Sequence, residues 1–195
     1  MDNIKKYLSE GIPTFFHSYE TDNPFDMCTF CTEPLSRFNK YGIEKVFKQN
    51  KMLNSKEIVY EYAICWGCAT SMGGEISEDS RSAISALFAK HNTHLIHKLE
   101  YLHGTEKYSL DSWIERCSLT GKETRLCDEF AVSAIIEDNR LVYEHSPMVV
   151  SDDFMLKLQD VLSLETKESF DKFREQLVDG PFIEDLIFSP TPGLI

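Results

Sequence analysis

The chain has 195 residues, 42% hydrophobic and 27% charged, a composition that supports a buried core and excludes the disordered and collagenous classes. Its formal net charge of −12 argues against broad binding to nucleic acid or anionic lipid, and the acidic excess is uneven, with −10 on residues 111–195 and −2 on residues 1–110. No run approaches the ~20 apolar residues of a membrane span and the first residues lack the apolar core of a secretory signal, so a cytoplasmic protein without membrane contact is expected.

Residues 1–24 are predicted as a short helix and an irregular segment. Asp2 or Asn3 caps the helix, which carries Ile4, Tyr7 and Leu8, and Gly11 with Pro13 ends it. A first cysteine pair follows in a turn-like setting, Cys28-Thr-Phe-Cys31. Residues 41–48 and 57–65 then read as a β-hairpin with a long connection. In its second strand Ile58, Tyr60, Tyr62 and Ile64 oppose Val59, Glu61 and Ala63 at period two. A second pair, Cys65-Trp-Gly-Cys68, closes that strand. Ser77 or Asp79 is placed to cap one long helix over about 80–102, with Ile84, Leu87, Phe88, His91, Leu95, Leu99 and Leu102 on one face and Gly104 at its end.

The second half repeats this grammar. Residues 130–137 and 140–144 flank Asp138-Asn139, a pair suited to a tight hairpin turn, and Ser151 with Asp152-Asp153 opens a helix bearing Phe154, Leu158, Val161 and Leu162. A last helix over about 166–178 carries Phe170, Phe173 and Leu177 and stops at Gly180-Pro181. Residues 189–193 read as an extended tail. Ile58-Val59-Tyr60-Glu61 precedes Cys65, and Leu141-Val142-Tyr143-Glu144 precedes Met148 with the same offset, while Cys117 takes the place of Cys28. These three shared identities admit a duplication whose second copy is a degenerate, metal-free version of the first.

The cysteines carry the chemistry. Two CxxC pairs 33 residues apart let four thiolates, from Cys28, Cys31, Cys65 and Cys68, converge on one tetrahedral ion. Zinc suits this set. The rival is iron in a rubredoxin-type site, which usually carries Gly just after each pair, where this chain has Thr32 and Ala69. With four thiolates no coordination position stays open, so one structural Zn²⁺ is expected rather than a catalytic one. The order of knuckle, hairpin and second CxxC at a helix start resembles the treble-clef zinc-finger group over about residues 25–103. That resemblance implies knuckle ligands at Cys28 and Cys31 and strand-end and helix-start ligands at Cys65 and Cys68. It extends to the fold group and to no named family.

Other candidates are weaker. Cys65-Trp-Gly-Cys68 at a helix start also fits a dithiol-disulfide oxidoreductase, but the second pair and the antiparallel pattern oppose a thioredoxin-like context. Cys117 and Cys127 fit no ligand spacing and read as half-buried thiols. His91, His94 and His97 form an HxxHxxH series better read as one core histidine and two surface ones. Residues 37–56 carry Arg37, Lys40, Lys45, Lys48, Lys51 and Lys56 against Glu44 alone, a basic hairpin able to grip phosphates or to meet carboxylates of this chain or of a partner. No phosphate loop, nucleophile elbow or HExxH motif is present in the sequence, so an enzyme is not expected.

The expectation is therefore an α+β protein: an N-terminal segment (1–24), a zinc-binding treble-clef-like module with a long helix (25–110), and an acidic hairpin-helix unit (111–195). The expected role is non-catalytic interaction or scaffolding through a protein partner or self-association. Nucleic-acid contact through the basic hairpin is the alternative.

Overall fold

Alternation of apolar and polar residues over 40–65 produces an antiparallel hairpin in the computed structural model, which describes residues 11–53, 55–105, 108–143 and 147–177. The expected N-terminal helix and the C-terminal tail lie outside these. The hairpin comprises β1 (Lys40–Asn50) and β2 (Ser55–Cys65). Its connection is short rather than long, because both strands run past their apolar cores, with a bulge between Val46 and Phe47.

β1 is also paired along its other edge. Strand β3 (Glu129–Glu137) lies antiparallel to it, and β4 (Arg140–Leu141) and β5 (Met148–Ser151) both pair with the far side of β3. The result is one five-stranded antiparallel sheet shared by both halves of the chain. Asp138 and Asn139 both have positive φ, 50° and 61°, as a two-residue type I′ turn requires. β5 was not anticipated from the sequence.

Six helices accompany the sheet among the described residues: α1 (Trp66–Gly74), α2 (Glu78–His91), α3 (Thr93–Thr105), α4 (Leu110–Ile114), α5 (Asp152–Val161) and α6 (Leu164–Leu177). The protein is thus α+β. The single helix expected over 80–102 is broken at Asn92, so its apolar stripe is carried by two helices. Asn92-Thr93 is a weak point because both side chains compete for backbone hydrogen bonds and Thr is stiff at χ1. None of these helices is long and apolar enough to cross a membrane.

One face of the sheet carries Tyr41, Ile43, Lys45 and Phe47 beside their partners on β2 and β3. Residues 14–25 cover it, with the Phe15 ring 5.6 Å from that of Phe47. Lys45, expected on a solvated hairpin, is buried there, ion-paired with Glu61 at 2.8 Å and donating to the carbonyl of His17. Alternation forces this outcome, since Lys45 sits between Ile43 and Phe47 on the covered face. The opposite face carries Val46, Glu44, Tyr62 and Tyr60, with Phe173 of α6 edge-on to Tyr62 at 5.9 Å.

Glu44 is 3% exposed and faces Tyr62 on β2 and Ser133 on β3. Burial pushes its carboxyl up to about 8, and the Tyr62 hydroxyl beside it offsets only part of this. The native state therefore keeps a proton that the unfolded chain releases near its ordinary pKa of 4.5. The stability associated with that proton is present below 4.5 and is lost as pH rises through 8. Glu44→Gln should flatten this loss, gaining up to about 4 kcal/mol over wild type at pH 8.5 and little at pH 4.5, in urea unfolding. Parallel pH profiles for the two proteins would refute the assignment.

The two halves are related by a local two-fold arrangement. At an offset of 89 residues (28 to 117), β1 corresponds to β3 and Tyr41 to Phe130, and the register is unchanged by exchanging the strands. Tyr41 faces Ile136 as Phe130 faces Phe47, with Glu44 opposite Ser133 at the centre. Beyond the hairpins the offset falls to 86 (65 to 151), where Tyr41 opposite Cys65 corresponds to Phe130 opposite Ser151. The same exchange relates two helix caps. Ser77 accepts from the Ser80 amide at 3.2 Å and Ser163 from the Thr166 amide at 3.3 Å. The caps interlock: Ser77 N–H donates to Thr166 Oγ1 at 3.1 Å, and Ser163 N–H to Ser80 Oγ at 2.9 Å. Ser80 and Thr166 are fully buried, so these reciprocal bonds satisfy groups that have no access to water. A small apolar cluster of Ile76, Leu162 and Phe170, with Ile84 packed on it, lies beside them.

Candidate metal centre

Residues 27–34 form a tight knuckle. A bridge joins Met27 to Pro34, Cys28 N–H donates to the Glu33 carbonyl at 2.9 Å, and Thr32 N–H donates to the Cys28 carbonyl at 2.9 Å. The reversal needs a left-handed residue, and Thr32 supplies it at φ 57°. A β-branched residue is strained there. Thr32→Gly should therefore raise stability by about 1 kcal/mol, reduced by loss of the Thr32 hydroxyl bond to the Cys31 carbonyl and by the freer unfolded chain, without loss of the thiol cluster. Thermal melting tests this, and a lowered melting temperature would contradict it.

The knuckle is stitched to the end of β2. Thr29 N–H donates to the Ala63 carbonyl at 2.9 Å, and Ala63 N–H returns a bond to Thr29 Oγ1 at 3.2 Å. This places Cys28 against the Cys65 amide, which donates to its Sγ at 3.3 Å. Cys65 is the N-cap of α1 and its Sγ accepts from the Cys68 amide at 3.4 Å, so Cys68 sits in the first helical turn.

The Sγ atoms of Cys28, Cys31, Cys65 and Cys68 all lie within 4.8 Å of one another. Cys31 and Cys65 are 3.8 Å apart. Four sulfurs at ~2.3 Å from a tetrahedral ion are separated by ~3.8 Å, so this set is of the right size to hold one metal ion. Cys28 and Cys65 are buried while Cys31 is exposed and Cys68 intermediate, which puts the cluster at the rim of the core.

Burial opposes ionisation of Cys28, yet the amides of Cys65, Cys31 and Phe30 outweigh it and bring the thiol down to about 7. Burial raises Cys65, and burial together with the neighbouring thiols raises Cys68. The redox alternative needs a low-pKa nucleophile at the start of α1, and the thiol there is shifted the other way.

The second half has a knuckle with the same bonds. Arg116 bridges Glu123, Cys117 N–H donates to the Lys122 carbonyl at 2.8 Å, and Gly121, at φ 73°, occupies the place of Thr32 and donates to the Cys117 carbonyl at 3.0 Å. Ser118 and Val149 exchange the bonds made by Thr29 and Ala63, at 2.8 and 3.0 Å. Thr120 stands where Cys31 does and Ser151 where Cys65 does, their hydroxyl oxygens 3.1 Å apart. Phe154 takes the place of Cys68. Strand register and cap position set Cys65 against Ser151, the N-cap of α5, three residues beyond the Met148 that the sequence offset pointed to. The join is closed by charge instead: Lys122 pairs with Asp152 at 2.5 Å, and Asp152 accepts from the amides of Asp128 and Asp153 at 2.7 and 2.8 Å.

The remaining candidates are dispersed. Cys117 and Cys127 are fully buried rather than half-buried. The break at Asn92 separates His91, whose ring lies 5.7 Å from that of Phe154, from His94 and His97 on α3, and the cysteine set is the one cluster among the described residues with the geometry to hold a metal ion. The basic residues do not make one surface. Arg37 pairs with Glu33, Lys51 with Asp128 at 2.6 Å, Lys40 lies 3.9 Å over the Trp66 ring, Lys45 is inside, and Lys48 is exposed. No protein-family model matches the chain, and no characterised protein or solved structure shows significant similarity to it.

Proposed function

We propose that Cys28, Cys31, Cys65 and Cys68 hold one structural Zn²⁺ in a treble-clef-like module spanning residues 25–110, and that residues 111–195 are a degenerate, metal-free copy of it. The observation that carries the metal reading is the convergence of two CxxC pairs within 4.8 Å from a knuckle and a helix start. Bound there, the ion supplies a cross-link between the knuckle and the β2–α1 junction, and four thiolates leave it no open position for substrate. The hydrogen bonds shared by the two knuckles and the exchange-invariant register support the duplication.

On this reading the chain is a non-catalytic interaction or scaffolding protein, acting through a protein partner or self-association, and a cytoplasmic location would keep its thiols reduced. Basic residues tied up in ion pairs and packing lend no support to the nucleic-acid alternative. Elemental analysis of the purified protein tests the assignment. One zinc per chain is expected; iron, or zinc well below one per chain, would overturn it.

A further inference from the structure

Between α3, α4 and the second knuckle lies a cavity of about 340 Å³. Its walls include the aromatic rings of Tyr101 and Trp113 and the basic side chains of His94, His97, Lys98 and Arg116. Among the described residues no Asp or Glu lines it, in a chain of net charge −12. Local charge thus opposes the charge of the whole molecule.

Lys98 is the centre of this asymmetry. Its ammonium donates to the carbonyls of Trp113 at 2.7 Å and Arg116 at 3.0 Å. An ammonium has three N–H donors, so two carbonyls leave one for another acceptor, and no carboxylate pairs with Lys98 among the described residues. Burial, reinforced by the nearby Arg116 charge and opposed by Cys117, pushes this amine down to about 8, the behaviour of a cation lacking its counter-charge. Arg116 itself is held by the Gly121 carbonyl at 3.2 Å and by Glu123 at 2.5 Å, which uses two of its five donors. The Tyr108 ring packs against Trp113 and edge-on against Tyr143, holding the indole wall in place.

We propose that this cavity binds a nucleoside monophosphate, with the base stacked on the exposed Tyr101 ring beside the buried edge of Trp113 and the phosphate received by Lys98, Arg116 and the two imidazoles. The volume lies at the lower end of ligand sites, enough for one nucleotide and too small for a strand. Aromatic stacking and a cationic cluster are the two devices by which proteins hold nucleotides without sequence readout. This inference rests on reading the chain as a binding module. It is independent of the metal, because zinc content is measured separately.

The test titrates AMP, GMP, CMP and UMP into the zinc-loaded protein at pH 7, followed by calorimetry and by quenching of tryptophan fluorescence. Adenosine serves as the ring without the anion and ribose 5-phosphate as the anion without the ring. At least one monophosphate should bind with Kd below ~1 mM, and both fragments should bind at least about tenfold more weakly. Lys98→Met should weaken binding about tenfold or more. Because Lys98 also ties α3 to α4, two milder variants accompany it: Tyr101→Ala, at a residue 62% exposed, and Arg116→Gln, each expected to lose about threefold or more with circular dichroism and zinc content unchanged. No binding of any monophosphate up to several millimolar would overturn the proposal. So would adenosine binding as tightly as AMP, or Tyr101→Ala and Arg116→Gln both leaving the affinity unchanged.

Discussion

Replacing Cys28 by Ser should release the metal and unfold the first half of the protein. Cys28 is the most enclosed of the four thiols, 1% exposed, and three backbone amides draw it toward ionisation. Structural zinc in small modules contributes ~10–16 kcal/mol of apparent binding free energy to folding, whereas whole domains are stable by ~5–15 kcal/mol. Loss of one enclosed ligand therefore removes a share comparable to the total. β1 is bonded to both β2 and β3, so the damage should spread across the sheet, lowering the melting temperature of wild type in excess chelator and of the variant in its absence alike. Cys31→Ser, at an exposed position, should lose less. A Cys28→Ser protein with a full zinc complement and an unchanged melting temperature would end the structural-zinc reading. An insulin-reduction assay separates it from the redox alternative, which requires turnover by wild type; none is expected.

The triple variant Thr120→Cys, Ser151→Cys, Phe154→Cys should bind a second zinc ion. Cys117 already occupies the position of Cys28, and the Thr120 and Ser151 hydroxyls approach to 3.1 Å, in the same relation as the Cys31 and Cys65 sulfurs. The cost falls on Phe154, a fully buried ring packed edge-on against Phe88 at 5.3 Å. Truncating such a ring costs about 3–5 kcal/mol, less than the ~10–16 kcal/mol available from four thiolates on zinc. The expected readout is two zinc ions per chain in place of one, with a melting temperature that falls sharply on chelation. The double variant lacking Phe154→Cys offers only three thiols and should bind the second ion weakly. A triple variant that folds in excess zinc yet still carries one ion would show that the two knuckles are alike in hydrogen bonding only.

Some of this architecture is written locally. The 33-residue gap between the cysteine pairs, the period-two pattern of residues 60–64, Asp138-Asn139 between two apolar runs and Ser77 ahead of Glu78-Asp79 each announce their own element and lie where their patterns place them, whereas the bulge at Val46 and Phe47 pairs Ile58 with Phe47 and takes it off the Tyr60 face. The counterpart of the first knuckle was harder to see. Thr120 and Ser151 give no metal-ligand signal, and aligning Tyr60 with Tyr143 misplaces Ser151 by three residues because the hairpins differ in length. The better signals were Ser118 matching Thr29, Gly121 matching Thr32 at the left-handed position, and Ser163 matching Ser77.

Spacing and alternation sufficed for the fold class and for the set of thiols that converge, because a CxxC turn, a two-residue hairpin turn and a helix cap are decided by a few neighbouring residues. Packing in three dimensions settled everything that depends on partners remote in sequence. The pairing of β1 with β3 joins residues about 90 apart and has no local signature, yet it makes one sheet of both halves, buries Lys45 and encloses Glu44 opposite Ser133. The cavity around Lys98 is lined by one continuous stretch, residues 94–121, yet packing decides it too: Lys98 of α3 closes it by donating to the carbonyls of Trp113 and Arg116. Burial is a property of what comes to lie on top of a side chain, and a strand's alternation says which face a residue takes without saying what covers it.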